Sequence, residues 1–411
     1  MMVATDVAWM IMATALVLLM TPGVAFFYGG MVRARSAVST KFQSFVCIGI
    51  VGLLWAICGY SLVFSGDVKG MGLIGNLDYA FLKNVGMEPH ETYATTIPHV
   101  LFMLFQATFA IITPALITGA VAERIRFKAW LVIMFVWSLV VYMPVAHWVW
   151  GPGGWIAKMG GLDFAGGLVV HMTSGYAALV MALMFGNRAN FSPEENTGFS
   201  APMVLLGTAF LWFGWFGFNA GSALGASALA AQAAATTMMA ACASMTVWMI
   251  CDWIFNGRPT AVGAAVGAVA GLVAITPGAG FVTVQAAIVI GMVTAVICCA
   301  ATHLVKQKLK TDDTVDVFAC HGIGGLVGTI LTGVFATKTI NPAGADGVLY
   351  GSYDLLKANL MGAGAVVAYT VIATFIVMKV VSHFMDVRVS AEEEQSGLDK
   401  TQHGEKAFNL R

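Results

Sequence analysis

The chain has 411 residues, 59% of them hydrophobic and only 10% charged, and its 21 basic and 21 acidic side chains cancel. Soluble domains carry roughly a quarter charged residues, so this is the composition of an integral membrane protein whose surrounding partner is the lipid bilayer. With no basic excess, nucleic-acid binding is excluded, because it needs a positive face to neutralise phosphates.

In chain order, hydropathy predicts an all-α polytopic membrane protein. A span needs about 20 mostly apolar residues, and in lipid each backbone group must be bonded within its own helix. Eleven runs qualify, near 7–31, 42–65, 98–122, 129–148, 165–186, 201–221, 229–255, 260–276, 283–305, 316–335 and 356–384. The first, in MMVATDVAWMIMATALVLLM, lacks the basic stretch of a secretory signal and reads as a span. Residues 66–97 read as a polar outer loop. The chain thus divides into a membrane domain, 1–384, and a charged tail, 385–411, which is expected to stay unburied and to be the one extended cytoplasmic handle for regulation.

Charge sets the orientation. If the amino terminus is outside, sixteen of the 21 basic residues fall on the cytoplasmic side: Arg33, Arg35, Lys41, Arg124, Arg126, Lys128, Arg188, Arg258, Lys306, Lys308, Lys310, Lys379, Arg388, Lys400, Lys406 and Arg411. Only Lys69, Lys83, Lys158, Lys338 and Lys357 face outward. Amino terminus out and carboxyl terminus in is the arrangement this bias favours. DFAGGLVVH at the fifth span and DVFACHGIGG at the tenth echo each other, an aspartate followed by a histidine among glycines. They suggest repeats of opposite topology, about 1–190 and 200–340, with a final helix outside the repeat.

Enzymatic signatures are missing. There is no H-E-x-x-H, G-x-S-x-G or P-loop, and GMGLIG at Gly70 to Gly75 has no strand before it. Catalytic residues, cofactors and a metal site are therefore not expected. The seven cysteines are odd in number, form no C-x-x-C and read as free thiols acting as small hydrophobes. That leaves ionisable groups inside the membrane, which are costly there and mark function by default. His171 and His321 lie well inside their spans, whereas His90, His99, His147, His303, His383 and His403 lie in loops, in the tail or near span ends. Two imidazoles can relay a proton or simply glue helices. Phe105 and Phe109 share a helix face, while Trp150, Phe218 and Ser222 fall at outer span ends, suiting either a cation site or an interfacial belt. Asp163 and Asp316 stand where an acid caps a helix amino end or shapes the field at an entrance.

AVAERIRF, DFAGGLVVH, WFGFNAGSA, DVFACHG and GLDKTQHGE, in this order along the chain, make it resemble the ammonium transporter family (Amt/Mep/Rh), in its bacterial Amt branch. The resemblance implies a homotrimer of eleven-helix protomers in the cell (inner) membrane, each with its own pore through an inverted five-plus-five repeat, serving nitrogen uptake. It implies an external ammonium recruitment site at Trp150, Phe109, Phe218 and Ser222, and a phenyl gate of Phe109 and Phe218. Below these, His171 and His321 would form the pore histidine pair, with Asp163 electrostatic and structural, and Phe105, Gln106, Trp215 and Thr276 as secondary pore or vestibule positions. The implied substrate is ammonium or ammonia, with methylammonium as an analogue, and the implied partner is a PII-type signal protein on the cytoplasmic face. Ammonium and potassium are alike in size and charge, so selection must use the donatable proton: ammonium sheds it at the gate and crosses as ammonia through an apolar pore that an ion enters only at several kcal/mol. An ammonium sensor, a passive gas channel and an intramembrane metalloenzyme are the competing readings.

Overall fold

The computed structural model describes residues 1–189, 191–192 and 198–408, and its architecture is helical. In chain order the membrane elements are α1 (Ala4–Met31), α2 (Ala34–Phe64), α3 (His99–Val121), α4 (Phe127–Lys158), α5 (Gly167–Phe185), α6 (Ala201–Ala223), α7 (Ala228–Asn256), α8 (Ala261–Ile275), α9 (Val284–Lys308), α10 (Phe318–Phe335) and α11 (Asp354–Phe384). Among the described residues, ten of these are long and apolar enough to cross a bilayer; α8 is apolar but has only 15 residues, about 22 Å of helix against a hydrocarbon core of about 30 Å. The helix α4 breaks at Gly151 and resumes for one turn, Trp155–Lys158. The loop between α2 and α3 departs from the all-helical expectation with a small antiparallel pair, β1 (Pro89–His90) and β2 (Ala94–Pro98).

Sequence dictates where the helices start. Ser200, Ser227, Thr260 and Thr283 each accept a hydrogen bond from the backbone N–H three residues on, opening α6, α7, α8 and α9. Such caps satisfy N–H groups that have no partner inside the helix. Gly257, at φ 73°, ends α7 in the left-handed conformation.

The interior is organised around α3 and α5, of which 83% and 78% of the apolar window is buried, against 33% for α7 at the periphery. The crossing of α5 with α10 is the tightest that matters for the site. A side chain at Gly175 would place its Cβ 2.0 Å from the backbone nitrogen of Gly322, and one at Gly325 would meet the Gly167 carbonyl at 2.9 Å. Both glycines stand four residues after a histidine, His171 and His321, so the same device brings each histidine-bearing helix against the other.

The tail corrects the expectation that its charges stay unburied. Its helix α12 (Ala391–Ser396) opens with a reciprocal capping box between Ser390 and Glu393. Glu394, 3% exposed, accepts from Ala189 N and Arg388 Nη2. Asp399, 2% exposed, accepts from the backbone N–H groups of Val38 and Ser39 at 3.1 and 2.8 Å. Each buried charge has partners, which is the condition under which burial is tolerated. Beneath the tail, Asp312 takes a forked pair of bonds from Arg188 at 2.8 and 3.0 Å, and Arg188 reaches Glu123 at 2.8 Å. Burial pushes the Asp312 carboxyl up, but Arg124 and Arg188 outweigh it and hold it below the ordinary aspartate range. Of the tail, Asn409, Leu410 and Arg411 lie outside the described residues.

Gly175→Ala is expected to destabilise the fold by about 3 kcal/mol or to block folding, since the new methyl meets backbone that cannot yield. Gly364→Ala, where an added Cβ meets nothing within 4 Å, should leave the thermal midpoint in detergent unchanged.

Candidate functional site

Asp163 sets the first half of the site. Its two carboxylate oxygens accept from the N–H groups of Gly166, Gly167, Leu168 and Val169 at 2.7 to 3.2 Å, taking up the donors that the start of α5 leaves unpaired. Burial holds its carboxyl above the ordinary range despite those four donors. The turn it closes passes through Gly166 at φ 121°, a conformation that favours glycine.

The start of α10 is built alike, but around a different acid from the one sequence suggested. Asp313, eight residues before His321 as Asp163 is eight before His171, accepts from Phe318 N at 2.7 Å. Three residues later the chain again takes positive φ, here at Asp316, φ 63°. Asp316 itself turns away to pair with Lys306 at 2.7 Å. The expected cap at Asp316 is therefore corrected to Asp313, because the chain reverses at Asp316 and the helix begins only after it.

Both helices then open with a wide π-helical turn, Gly167–Met172 and Phe318–Ile323, and these turns carry His171 and His321. Another of the seven such turns among the described residues, Phe216–Ala220 in α6, carries Phe218. Wider turns of this kind recur at functional sites because they redirect side chains from the regular helical spacing. The two imidazoles meet through their δ nitrogens, 3.2 Å apart, with ring centroids at 5.3 Å and planes 23° apart. One Nδ1 must donate and the other accept, so the rings are opposite tautomers and their ε nitrogens differ, one bearing a proton and one bare. The Nε2 of His171 is buried without a protein partner. That of His321 lies 3.5 Å from the Tyr28 hydroxyl. Trp215 stacks on His171 at 5.4 Å and donates its indole N–H to Thr276 at 2.9 Å.

The histidines, Trp215, Phe218, Phe27 and Tyr28 line a slot of about 10 Å³, otherwise walled by aliphatic and methionine side chains. That is room for about one water-sized molecule. A wider cavity of about 290 Å³ lies beyond, lined by Trp150, Phe109, Gln106, Ser222, Tyr93 and Phe64 among others. Phe109 faces the wide cavity and Phe218 the slot, and their rings touch at 4.3 Å, so the phenyl pair forms the partition. Trp150 stands edge-on to Phe109 at 5.9 Å, and its indole N–H is fixed on the Asp163 carbonyl at 3.0 Å.

Of the residues singled out from sequence, Trp150, Phe109, Ser222 and Gln106 surround the wide cavity; His171, His321, Trp215 and Phe218 surround the slot. The Ser222 hydroxyl is bonded to the Phe218 carbonyl at 2.8 Å. Phe105 and Thr276 border neither space: Phe105 packs against Phe109 at 5.0 Å, and Thr276 holds Trp215. Tyr28 and Asp313 escaped sequence reasoning. Tyr28 sits in an apolar run 293 residues from His321, but Asp313 was legible from its matching distance to a histidine. Among the described residues, no group of three His, Cys, Asp or Glu could hold a metal ion.

Residues 8–408 match the model of the Ammonium Transporter Family. The chain is 48% identical over 406 residues to an ammonium transporter of Bacillus subtilis (strain 168), covering 98% of each chain. It is 45% identical over 403 residues to ammonium transporter Amt1 of Archaeoglobus fulgidus, covering 98% of this chain and 99% of that one. Among solved structures it is similar to Saccharomyces cerevisiae Mep2, with 36% identity, TM-score 0.88, and 95% of this chain and 89% of that one covered. A Sensor Amt Protein matches at 30% identity and TM-score 0.89, with 97% and 98% covered.

Removing the Asp163 carboxylate strands four buried N–H groups. Asp163→Ala is expected to cost on the order of 3 kcal/mol, and Asp163→Asn, which keeps one acceptor oxygen, distinctly less; thermal unfolding of the purified variants measures the difference.

Proposed function

The chain belongs to the ammonium transporter family, and from that premise we propose that it takes ammonium from outside the cell, strips its proton at the phenyl partition and passes ammonia through the histidine slot. The observation that carries this reading is the pairing of a slot sized for one small molecule with two tautomerically opposed imidazoles on its wall.

The wide cavity is the recruitment site. Trp150 and Phe109 offer π-faces to a cation, and Gln106 and Ser222 offer oxygen acceptors for its N–H groups. Potassium satisfies the first requirement and not the second, and it has no proton to lose. Beyond the partition an ion would leave nearly all of its hydration behind, whereas ammonia gives up little. Inside, the bare ε nitrogen accepts from ammonia and the protonated one donates to it. When a proton is taken up at the bare ε nitrogen, the shared proton passes to the other Nδ1 and the second ring releases its own ε proton, so the two roles are exchanged and one proton has been handed along the slot. On this reading the proton follows the ammonia and transport carries current.

The same reading puts the tail and the Arg188 cluster on the cytoplasmic side, in agreement with the basic-residue bias, and the wide cavity outside, with the chain forming a homotrimer in the cell (inner) membrane. The alike starts of α5 and α10 support two inverted repeats meeting at the slot. The tail, docked on α2 through Asp399, is the surface on which a PII-type protein would act. A sensor role is the second reading, supported by that docked tail and by the likeness to a Sensor Amt Protein.

Ammonium-evoked current from protein reconstituted on a supported membrane tests the main reading. Ammonium and methylammonium should give current and potassium none; substrate uptake without current would reduce the protein to a passive ammonia channel, and no uptake with retained partner binding would make it a sensor. His171→Ala and His321→Ala should cut current or selectivity against potassium at least tenfold while the protein still folds. Trp150→Leu should mainly raise the half-saturating concentration.

A further inference from the structure

We propose that a buried ion pair between His147 and Asp67 is the positioning element of the outer site, setting its affinity by holding Trp150 in place. The proposal rests on the wide cavity being the recruitment site.

His147 is fully buried in α4, one turn before Trp150. Its Nδ1 lies 2.7 Å from the Val63 carbonyl and its Nε2 3.2 Å from Asp67 Oδ1. A carbonyl and a carboxylate both only accept, so the ring must present a proton on each side: this is an imidazolium paired with a carboxylate. Val63 belongs to the last turn of α2, where carbonyls lack helical partners and the helix end attracts positive charge. One imidazolium therefore closes the end of α2 and anchors the loop after it.

The geometry transmits this clamp to Trp150. Gly151, the residue after Trp150, donates its N–H to the His147 carbonyl at 3.0 Å, and a Cβ there would fall 2.3 Å from His147 Nδ1 and 2.4 Å from the Val63 carbonyl. The backbone on which the indole is mounted is thus packed directly against the His147–Val63 contact. The indole N–H is held separately by α5 through Asp163, so two clamps fix the ring, one at its backbone and one at its tip. The loop bearing Asp67 is tied to the same end of α4 by Trp148 Nε1 on the Leu73 carbonyl at 2.9 Å. Asp67 Oδ2 is buried without a partner, and against the upward pull of burial the carboxylate is held by the Gly72 backbone N–H, His147 and the charge of Lys158, which keep it below the ordinary aspartate range.

Removing the Asp67 charge leaves the buried His147 without its carboxylate, one turn from Trp150. The experiment is a double-mutant cycle read as concentration dependence of ammonium-evoked current. Asp67→Asn should raise the half-saturating ammonium concentration about tenfold with maximal current within about twofold, and Asp67→Glu, which keeps the charge, should recover most of the loss. In a Trp150→Leu background Asp67→Asn should add nothing, because it acts through the indole. The inference is overturned if Asp67→Asn leaves the half-saturating concentration unchanged, or if its effect multiplies with that of Trp150→Leu. Should Trp150→Leu itself leave affinity unchanged, the recruitment reading fails instead. If Asp67→Asn does not yield folded protein, His147→Gln enters the same cycle with the same two outcomes.

Discussion

The hydrogen bond between two δ nitrogens is the constraint on which the rest of the molecule depends. A bond of 3.2 Å between like atoms exists only if the two rings adopt opposite tautomers. A tolerance of a few tenths of an ångström must then be kept by helices 150 residues apart in sequence. The structure meets it with backbone, which is stiff, in preference to side chains, which are not: glycines four residues after each histidine let α5 and α10 cross almost in contact, and aspartates eight residues before each histidine fix where the helices begin.

The second theme is separation of wet from dry. Polar atoms gather in the wide cavity, where oxygen acceptors stand beside aromatic faces, while the slot has few: two imidazoles, an indole and a phenol. Between them stand two rings 4.3 Å apart. Low dielectric strengthens every interaction inside the slot and penalises every unpaired charge there, so on the proposed reading the same dryness would both exclude ions and strengthen the histidine pair.

Much of this was legible in the sequence, and the parts that were not share a cause. Spans could be read because a helix in lipid satisfies its own backbone, making each a local property of about 20 residues. The inner-site histidines stood out because an ionisable group in an apolar run is rare. Tyr28 did not, since a tyrosine in a hydrophobic helix has no local mark of the residue it will face. The burial of Glu394 and Asp399 was invisible for the same reason: apart from Arg388 beside Glu394, their partners, at Ala189 and at Val38 and Ser39, lie two hundred to three hundred and sixty positions away. Asp316 misled because local sequence shows an acid before a helix but not the reversal of the chain that moves the cap to Asp313. His147 was passed over for lying near a span end, where imidazoles usually meet water; here it meets a carbonyl and a carboxylate.

The mismatch in size between the two chambers has a practical corollary for how such a protein is assayed. On the proposed reading, an antechamber of about 290 Å³ has room for ammonium and its methylated analogue alike, whereas a throat with room for about one water molecule fits the analogue only with its surrounding rings displaced. On that reading, competition by the bulkier amine would report on docking alone, whereas its accumulation inside vesicles would also depend on displacement of the aromatic walls.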